Sequence, residues 1–254
     1  MKTGSLMDRA PMRCVGSLFG LALLLAVVLA GQARAMSAPE KLTYSLSWLG
    51  IPVGSATQEF TEDGAGRRIV SQARSNDWLS SFYPVDDRTE SLLARDGLFP
   101  GESRSFRMVF KEGQRIRDRS LVFEPARRLA HFHDRVTGEQ VDVPINPPLF
   151  DVYASFYHVR SLPLEVGKSH FLTILDGKEP RRIEVKVLRR ERVSVPAGDF
   201  ATIVVQPLVP AEGIFEGKRG ITIWLTDDRR RLPVKAQTKV RVGSVTAVLT
   251  GGSY

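Results

Sequence analysis

Apolar and polar side chains alternate along most of this chain from residue 42 onward. The first clear case is LTYSLSW (42–48), in which every second side chain is apolar. Successive side chains of a strand point to opposite faces of a sheet, so this pattern predicts a half-buried strand with one polar face. A second case is the strand predicted over 102–111, which places Phe106, Met108 and Phe110 on one face.

The same period of two recurs to the end of the chain, interrupted by turn signals such as Asp-Gly, Gly-Ser and Asn-Pro-Pro. Short strands that recur about every 8–12 residues are typical of antiparallel sandwiches and barrels. We therefore predict a mainly β fold, with antiparallel strands in a curved sheet or barrel-like sandwich and one short packed helix. The predicted strands are 42–48, 53–60, 67–75, 85–95, 102–111, 115–123, 128–133, 168–175, 182–192, 200–208, 220–225, 234–242 and 245–249.

One segment, residues 150–159, follows a helical period instead. Phe150, Tyr153, Phe156 and Tyr157 recur at helical spacing, and prolines precede the segment. An aromatic face of this kind predicts a helix that packs against a sheet or fills one end of it. A shorter helical turn is predicted over 77–83, capped by Asn76 or Asp77.

The first 35 residues predict the cell compartment. They combine a basic start, an apolar run over 15–30 and the small-x-small sequence Ala33-Arg34-Ala35, which is the pattern of a secretory signal peptide. The apolar run is short for a bilayer span, which needs about 20 residues. We therefore expect cleavage near Ala35, with residues 1–35 removed. Residues 36–254 then form a single periplasmic domain without a transmembrane span.

Composition supports a stable exported domain and excludes some partners. The one cysteine, Cys14, lies in the signal segment, so the mature chain has neither a disulfide nor a cysteine metal site. The formal charge is +8, and much of it sits in scattered arginine doublets. The plainer interpretation is solvated strand edges and turns, and the other is attraction to anionic envelope surfaces. Interleaved stacking aromatics are missing from these doublets, so nucleic acid is not an expected partner.

The candidate chemistry is sparse. His131 and His133 share one strand face, but two ligands do not close a metal site. Adjacent carboxylates, as in Asp227-Asp228, point to opposite faces of a strand and favour a turn with local salt bridges over catalysis. Neither a nucleophile elbow nor a phosphate-binding glycine loop is present. We predict no catalytic residue, metal or cofactor, and we expect a binding protein rather than an enzyme.

Six segments of the mature chain carry a family resemblance. They are DVYASFYHVR (151–160), LEVG (164–167), VPAGDF (195–200), WLTDD (224–228), LPV (232–234) and GS (243–244). Together they resemble an uncharacterised family of exported bacterial β proteins, domain of unknown function 3108. The resemblance spans nearly all of the mature chain, and the order of the segments is more specific than any one of them. It implies an envelope location and an antiparallel β architecture, and it supplies no catalytic residues.

The leading functional hypothesis is a non-catalytic protein that binds a lipid or another amphiphile of the envelope in the concavity of its sheet. The aromatic side chains would line an apolar pocket, and Arg160 would bind an anionic head group at its mouth. One alternative is a module that pairs with envelope proteins, and another is an envelope hydrolase. The candidate ligand-binding residues are Trp48, Tyr153, Phe156, Tyr157, Arg160 and Trp224.

Overall fold

The computed structural model of the chain describes residues 38–208, 219–240 and 242–254. The signal peptide expected over 1–35 lies outside these residues. The described strands are β1 Glu40–Trp48, β2 Ile51–Asp63, β3 Gly66–Ser75, β4 Asp86–Leu93, β5 Ser103–Glu112, β6 Arg115–Glu124, β7 Leu129–Asp134, β8 Gln140–Pro144, β9 Ser169–Ile174, β10 Arg181–Val195, β11 Gly198–Leu208, β12 Arg219–Thr226, β13 Pro233–Lys239 and β14 Ser244–Ser253.

All 14 strands belong to one antiparallel sheet, which is curved but not closed. Its order is β8-β7-β6-β5-β4-β3-β2-β1-β14-β13-β12-β11-β10-β9. Each half of the chain is therefore a meander, and the first strand pairs with the last in the middle of the sheet. The predicted fold class, a curved antiparallel sheet with a short packed helix, is confirmed.

Within the described residues, two helices and one 3₁₀ turn interrupt the strands. Helix α1 is the single turn Asp77–Ser80, capped by the Asn76 side chain as predicted, and the 3₁₀ turn is Pro125–Arg127. Helix α2, Val152–Ser161, connects the two edge strands β8 and β9. It begins two residues later than predicted, because Asp151 takes the extended conformation of an N-cap. No helix within the described ranges is long and apolar enough to cross a membrane.

Strand β8 is the element that the sequence pattern missed. It has five residues, and Val141 and Val143 are its only large apolar side chains, so the alternation is too short to identify. Such short strands are common at sheet edges, where they limit pairing with other chains. At the other edge, Phe150 forms a parallel bridge with Ile174 of β9, which brings the edge beside the start of α2.

The core is divided into three clusters, and α2 takes part in two of them. The first joins α2 to β2–β4 on one side and β9–β12 on the other, with Tyr157 and Phe60 fully buried. The second lies under β5–β8 and includes Phe106, Met108 and Phe110, the face that the alternation predicted to be buried. The third packs β1 and β14 against β11–β13 without contribution from α2.

Candidate functional site

An apolar cavity of about 210 Å³ lies between α2 and the strands β9–β12. One wall is a face of the helix, and most of the opposite wall is formed by β-branched side chains, with Gln58 of β2 added from the other half of the sheet. No charged side chain of the described residues lines it. The lining residues are Gln58, Val152, Tyr153, Ser155, Phe156, Val159, Ile174, Ile183, Val185, Val205, Pro207, Ile221 and Ile223.

A buried ion pair joins α2 to the first strand, and a hydrogen-bond chain links it to Gln58 of the cavity wall. The Arg160 guanidinium donates to both carboxylate oxygens of Glu40, at 2.8 and 2.6 Å. The Arg160 side chain is 0% exposed and that of Glu40 is 4% exposed. Arg160 also donates to the backbone carbonyls of Arg230 and Arg231. A bidentate pair with extra hydrogen bonds is the arrangement that offsets the cost of removing two charges from water.

Two uncharged side chains extend this network toward the cavity. The Tyr157 hydroxyl donates to Glu40 Oε1 at 2.9 Å, and the Gln58 amide donates to the Tyr157 oxygen at 3.1 Å. Burial, followed by the neighbouring Glu40 carboxylate, raises the pKa of Tyr157, so this phenol keeps its proton. The chain of hydrogen bonds therefore runs from Gln58 at the cavity wall to the ion pair behind it.

The N-terminus of α2 is fixed by a second buried carboxylate, Asp151. One oxygen accepts from the backbone N–H groups of Tyr153 and Ala154, and the other accepts from the hydroxyls of Ser91 and Ser103 at 2.6 and 2.7 Å. Burial raises the pKa of the Asp151 carboxyl, against these four hydrogen bonds, which favour its ionised form. The cap ties α2 to β4 and β5 and so fixes the position of the helical wall of the cavity.

The six residues predicted to bind a ligand are not brought together in one place. Tyr153 and Phe156 line the cavity, and Tyr157 lies one hydrogen bond behind it through Gln58. The guanidinium of Arg160 is directed at Glu40 inside the protein.

The two predicted tryptophans lie elsewhere. The Trp48 indole donates to the backbone carbonyl of Val242 at the opposite end of β1 from Glu40. Trp224 belongs to the third cluster. The Lys235 ammonium lies 4.6 Å from the centroid of its ring, and its indole N–H donates to Glu191.

Sequence reasoning missed Glu40, Gln58 and the aliphatic wall. The alternation of β1 places Glu40 on the same face as Leu42, so a charged residue at an inward position was a usable signal. Gln58 lies two positions before the buried Phe60 in β2, so both side chains point to the same face of the sheet. The aliphatic residues gave no signal, because side chains that line a void have the same pattern as side chains that fill a core.

A wider cleft of about 640 Å³ lies at the C-terminal end of α2 and includes Asp227 and Asp228. Both carboxylates are in ion pairs: Asp227 with Arg190 and Arg231, and Asp228 with Arg230. The two carboxylates are therefore held in salt bridges at this turn, which is the local arrangement that the sequence predicted.

On β7, His131 lies beside two carboxylates. His131 lies 2.6 Å from Asp142 and 3.1 Å from Glu124, and these partners raise its pKa. Among the described residues, no group of three or more His, Cys, Asp or Glu side chains is arranged to hold a metal ion.

Solved structures resemble this chain at the level of fold. A β-barrel-like protein of domain of unknown function DUF1849 from Brucella abortus matches with a TM-score of 0.56 at 12% identity, covering 87% of this chain and 99% of its own. A Bacteroides fragilis protein inferred to be exported, with a YmcC-like fold, matches with a TM-score of 0.32 at 12% identity, covering 87% of this chain and 98% of its own. The first likeness supports the barrel-like architecture.

A family profile gives the stronger result. No curated protein sequence matches the chain significantly. The profile described as "Protein of unknown function (DUF3108)" matches residues 43–250, which are most of the chain. The resemblance noted in the sequence is thereby confirmed, and the chain belongs to the DUF3108 family.

Proposed function

We propose that this protein binds the apolar part of a lipid or another amphiphile of the cell envelope in the cavity between α2 and β9–β12. The observation that carries the proposal is a partly open pocket of about 210 Å³ with an almost entirely aliphatic and aromatic wall. Apolar surface that is in contact with water is unfavourable, and its transfer to an apolar environment is favourable in rough proportion to the area removed from water. An apolar occupant would cover this surface.

The size of the pocket limits what enters it. An engineered apolar cavity of about 150 Å³ stays dry and accepts benzene. By proportion, this cavity has room for about eight non-hydrogen atoms. The proposal is therefore that one end of an apolar chain is buried between the helix and the sheet.

We further propose that the protein acts outside the cytoplasm. The support is the sequence of the first 35 residues, which has the three regions of a cleaved secretory signal. The mature protein would begin at Met36 and consist of one domain. A binding protein in that compartment encounters lipids and lipid-linked molecules of the envelope, which suits an apolar cavity.

Native mass spectrometry of protein purified gently from the periplasm tests both parts. We expect a chain mass that begins at Met36 and a stoichiometric adduct that organic solvent extracts as an amphiphile. Replacement of Val205 with Phe places a ring in the cavity, so we expect at least a tenfold loss of the adduct. Leu208→Phe is the matched control, because Leu208 is an exposed residue of the same strand. An adduct of equal intensity in both variants would place the ligand elsewhere.

A second candidate function, pairing with an envelope protein, is favoured by an exposed apolar surface. We name this surface the aromatic rim; it groups turns at one end of the sheet around α1. The Trp78 and Phe82 ring centroids are 5.6 Å apart, and Phe82 is 68% exposed. Exposed clusters of this kind mark interaction sites. The rim consists of Leu49, Ile51, Trp78, Phe82, Tyr83 and Val242.

Site-specific photo-crosslinking in cells separates this candidate from the first. With a photoreactive amino acid in place of Phe82, we expect one discrete protein adduct if the rim pairs with a partner. The control is the same substitution at Phe171, which is 56% exposed on β9 and outside the rim. Absence of an adduct at position 82, or equal adducts at both positions, would contradict this candidate.

A further inference from the structure

The cavity wall carries three polar side chains, those of Gln58, Tyr153 and Ser155. The Ser155 hydroxyl donates to the backbone carbonyl of Val152 at 2.7 Å. The Tyr153 side chain packs against the first and second core clusters. The Gln58 amide donates to the Tyr157 oxygen through its NH₂ group, so its carbonyl oxygen is the part of the amide that remains.

The direction of the hydrogen bonds determines which atom of the Gln58 amide has no hydrogen-bond partner. A carboxylate can only accept, so the Tyr157 hydroxyl must donate to Glu40 Oε1. The Tyr157 oxygen is then available to accept from the NH₂ group of Gln58. In the part of the chain that the structure describes, no hydrogen bond to the carbonyl oxygen of Gln58 is present. That oxygen is an unused acceptor on a wall whose other polar side chains are Tyr153 and Ser155.

The charges behind the wall do not offer a second site. Arg160 satisfies Glu40 with both of its NH₂ groups, and the pair is closed to solvent. An ionised group placed in the cavity would have no counter-charge among the lining residues, and burial of an unpaired charge is strongly unfavourable. The part of the ligand inside the cavity is therefore uncharged.

We propose that the ligand of this cavity is a neutral apolar group that carries one hydrogen-bond donor, a hydroxyl or an amide N–H, and that the Gln58 carbonyl accepts from it. This inference rests on the proposed function, since it names the ligand class of the same cavity. Gln58 is the specificity-determining residue, and Tyr157 and Glu40 are positioning residues that hold its amide with the oxygen outward. A head group that is charged remains outside the cavity.

Two isomeric probes test the donor requirement. 1-Heptanol and hexyl methyl ether have the same eight non-hydrogen atoms, and only the alcohol can donate. Their affinities for the wild-type protein and for Gln58→Met are measured by titration calorimetry or by ligand-observed NMR. Methionine keeps the length of the side chain and removes the carbonyl. We expect the variant to bind 1-heptanol about 2–10-fold more weakly than the wild-type protein does, which is the contribution of one hydrogen bond. Its affinity for the ether should be unchanged or higher.

The outcomes separate the inference from the function on which it rests. If wild-type protein binds both probes and Gln58→Met changes both affinities by the same factor, the donor requirement is wrong and the apolar site is retained. If wild-type protein binds neither probe, the proposed function itself fails. Thr57→Val, at the neighbouring residue on the opposite face of β2, is the control and should leave both affinities unchanged. A circular dichroism melt of each variant verifies that it is folded.

Discussion

Arg160→Met is expected to lower the free energy of unfolding by about 3–5 kcal/mol, because it leaves the buried Glu40 carboxylate without a counter-charge. The Glu40 side chain is 4% exposed, so water cannot replace the guanidinium without opening the fold. The backbone carbonyls of Arg230 and Arg231 lose a donor in the same step. The effect corresponds to a drop in melting temperature of roughly 6–20 °C for a domain of this size.

Arg107→Met is the matched control for this prediction. Arg107 also makes two hydrogen bonds to one carboxylate, that of Asp118, but its side chain is 53% exposed. Surface pairs contribute about 0–1 kcal/mol, so this variant should be nearly neutral. The double variant Glu40→Gln with Arg160→Met removes both charges and should recover part of the stability. Equal effects of the two single arginine variants in urea unfolding would refute the importance of the buried pair.

Asp151→Ala should cost about 2–4 kcal/mol, the second largest effect that we expect. The substitution removes the acceptor for two backbone N–H groups at the start of α2 and for the hydroxyls of Ser91 and Ser103, all at a fully buried position. Since α2 is one wall of the cavity, loss of the cap should also weaken ligand binding. Urea unfolding measures the first effect, and the 1-heptanol titration measures the second.

Asp151→Asn separates capping from charge. Asparagine caps helices about as well as aspartate, so its carbonyl oxygen can retain the two backbone hydrogen bonds. Burial raises the folded-state pKa of Asp151 above the unfolded value of about 3.9. The protonated Asp151 carboxyl therefore contributes to the free energy of unfolding in full below about pH 4. This contribution is lost as the pH rises through the folded-state pKa. We expect wild-type stability to fall relative to Asp151→Asn over that interval, and a constant difference would contradict the raised pKa.

The prediction of individual strands succeeded because their signal is local. Alternation in LTYSLSW (42–48) reports which face of β1 is buried, and the buried face of Phe106, Met108 and Phe110 follows from the same rule. The presence of α2 also has a local signal in its aromatic spacing, although the helix begins at Val152 because Asp151 is its N-cap. Strand β8 was missed because five residues are too few to establish a period.

The sequence could place only some residues of the cavity, because contacts between distant segments define it. The aromatic spacing in α2 identified Tyr153 and Phe156, which line the cavity. Nothing local links Glu40 to Arg160, which lie 120 positions apart in the sequence. Trp224 is a large aromatic residue of the kind that often lines a pocket. It lies on β12 in the third core cluster, however, and does not line the cavity.

The strand pattern, the helix with its aromatic face, the family and the expectation of export all follow from the amino-acid sequence. These features depend on the period of side-chain burial, on capping groups and on short motifs, all of which are encoded within a few residues. Three other features are visible in the folded chain alone: β1 pairs with β14, Glu40 neutralises Arg160 inside the protein, and an apolar pocket lies beside Gln58. A pocket and a buried ion pair depend on how whole surfaces fit together, which no short stretch of sequence encodes. Apolar side chains that line a cavity obey the same burial pattern as those that fill a core.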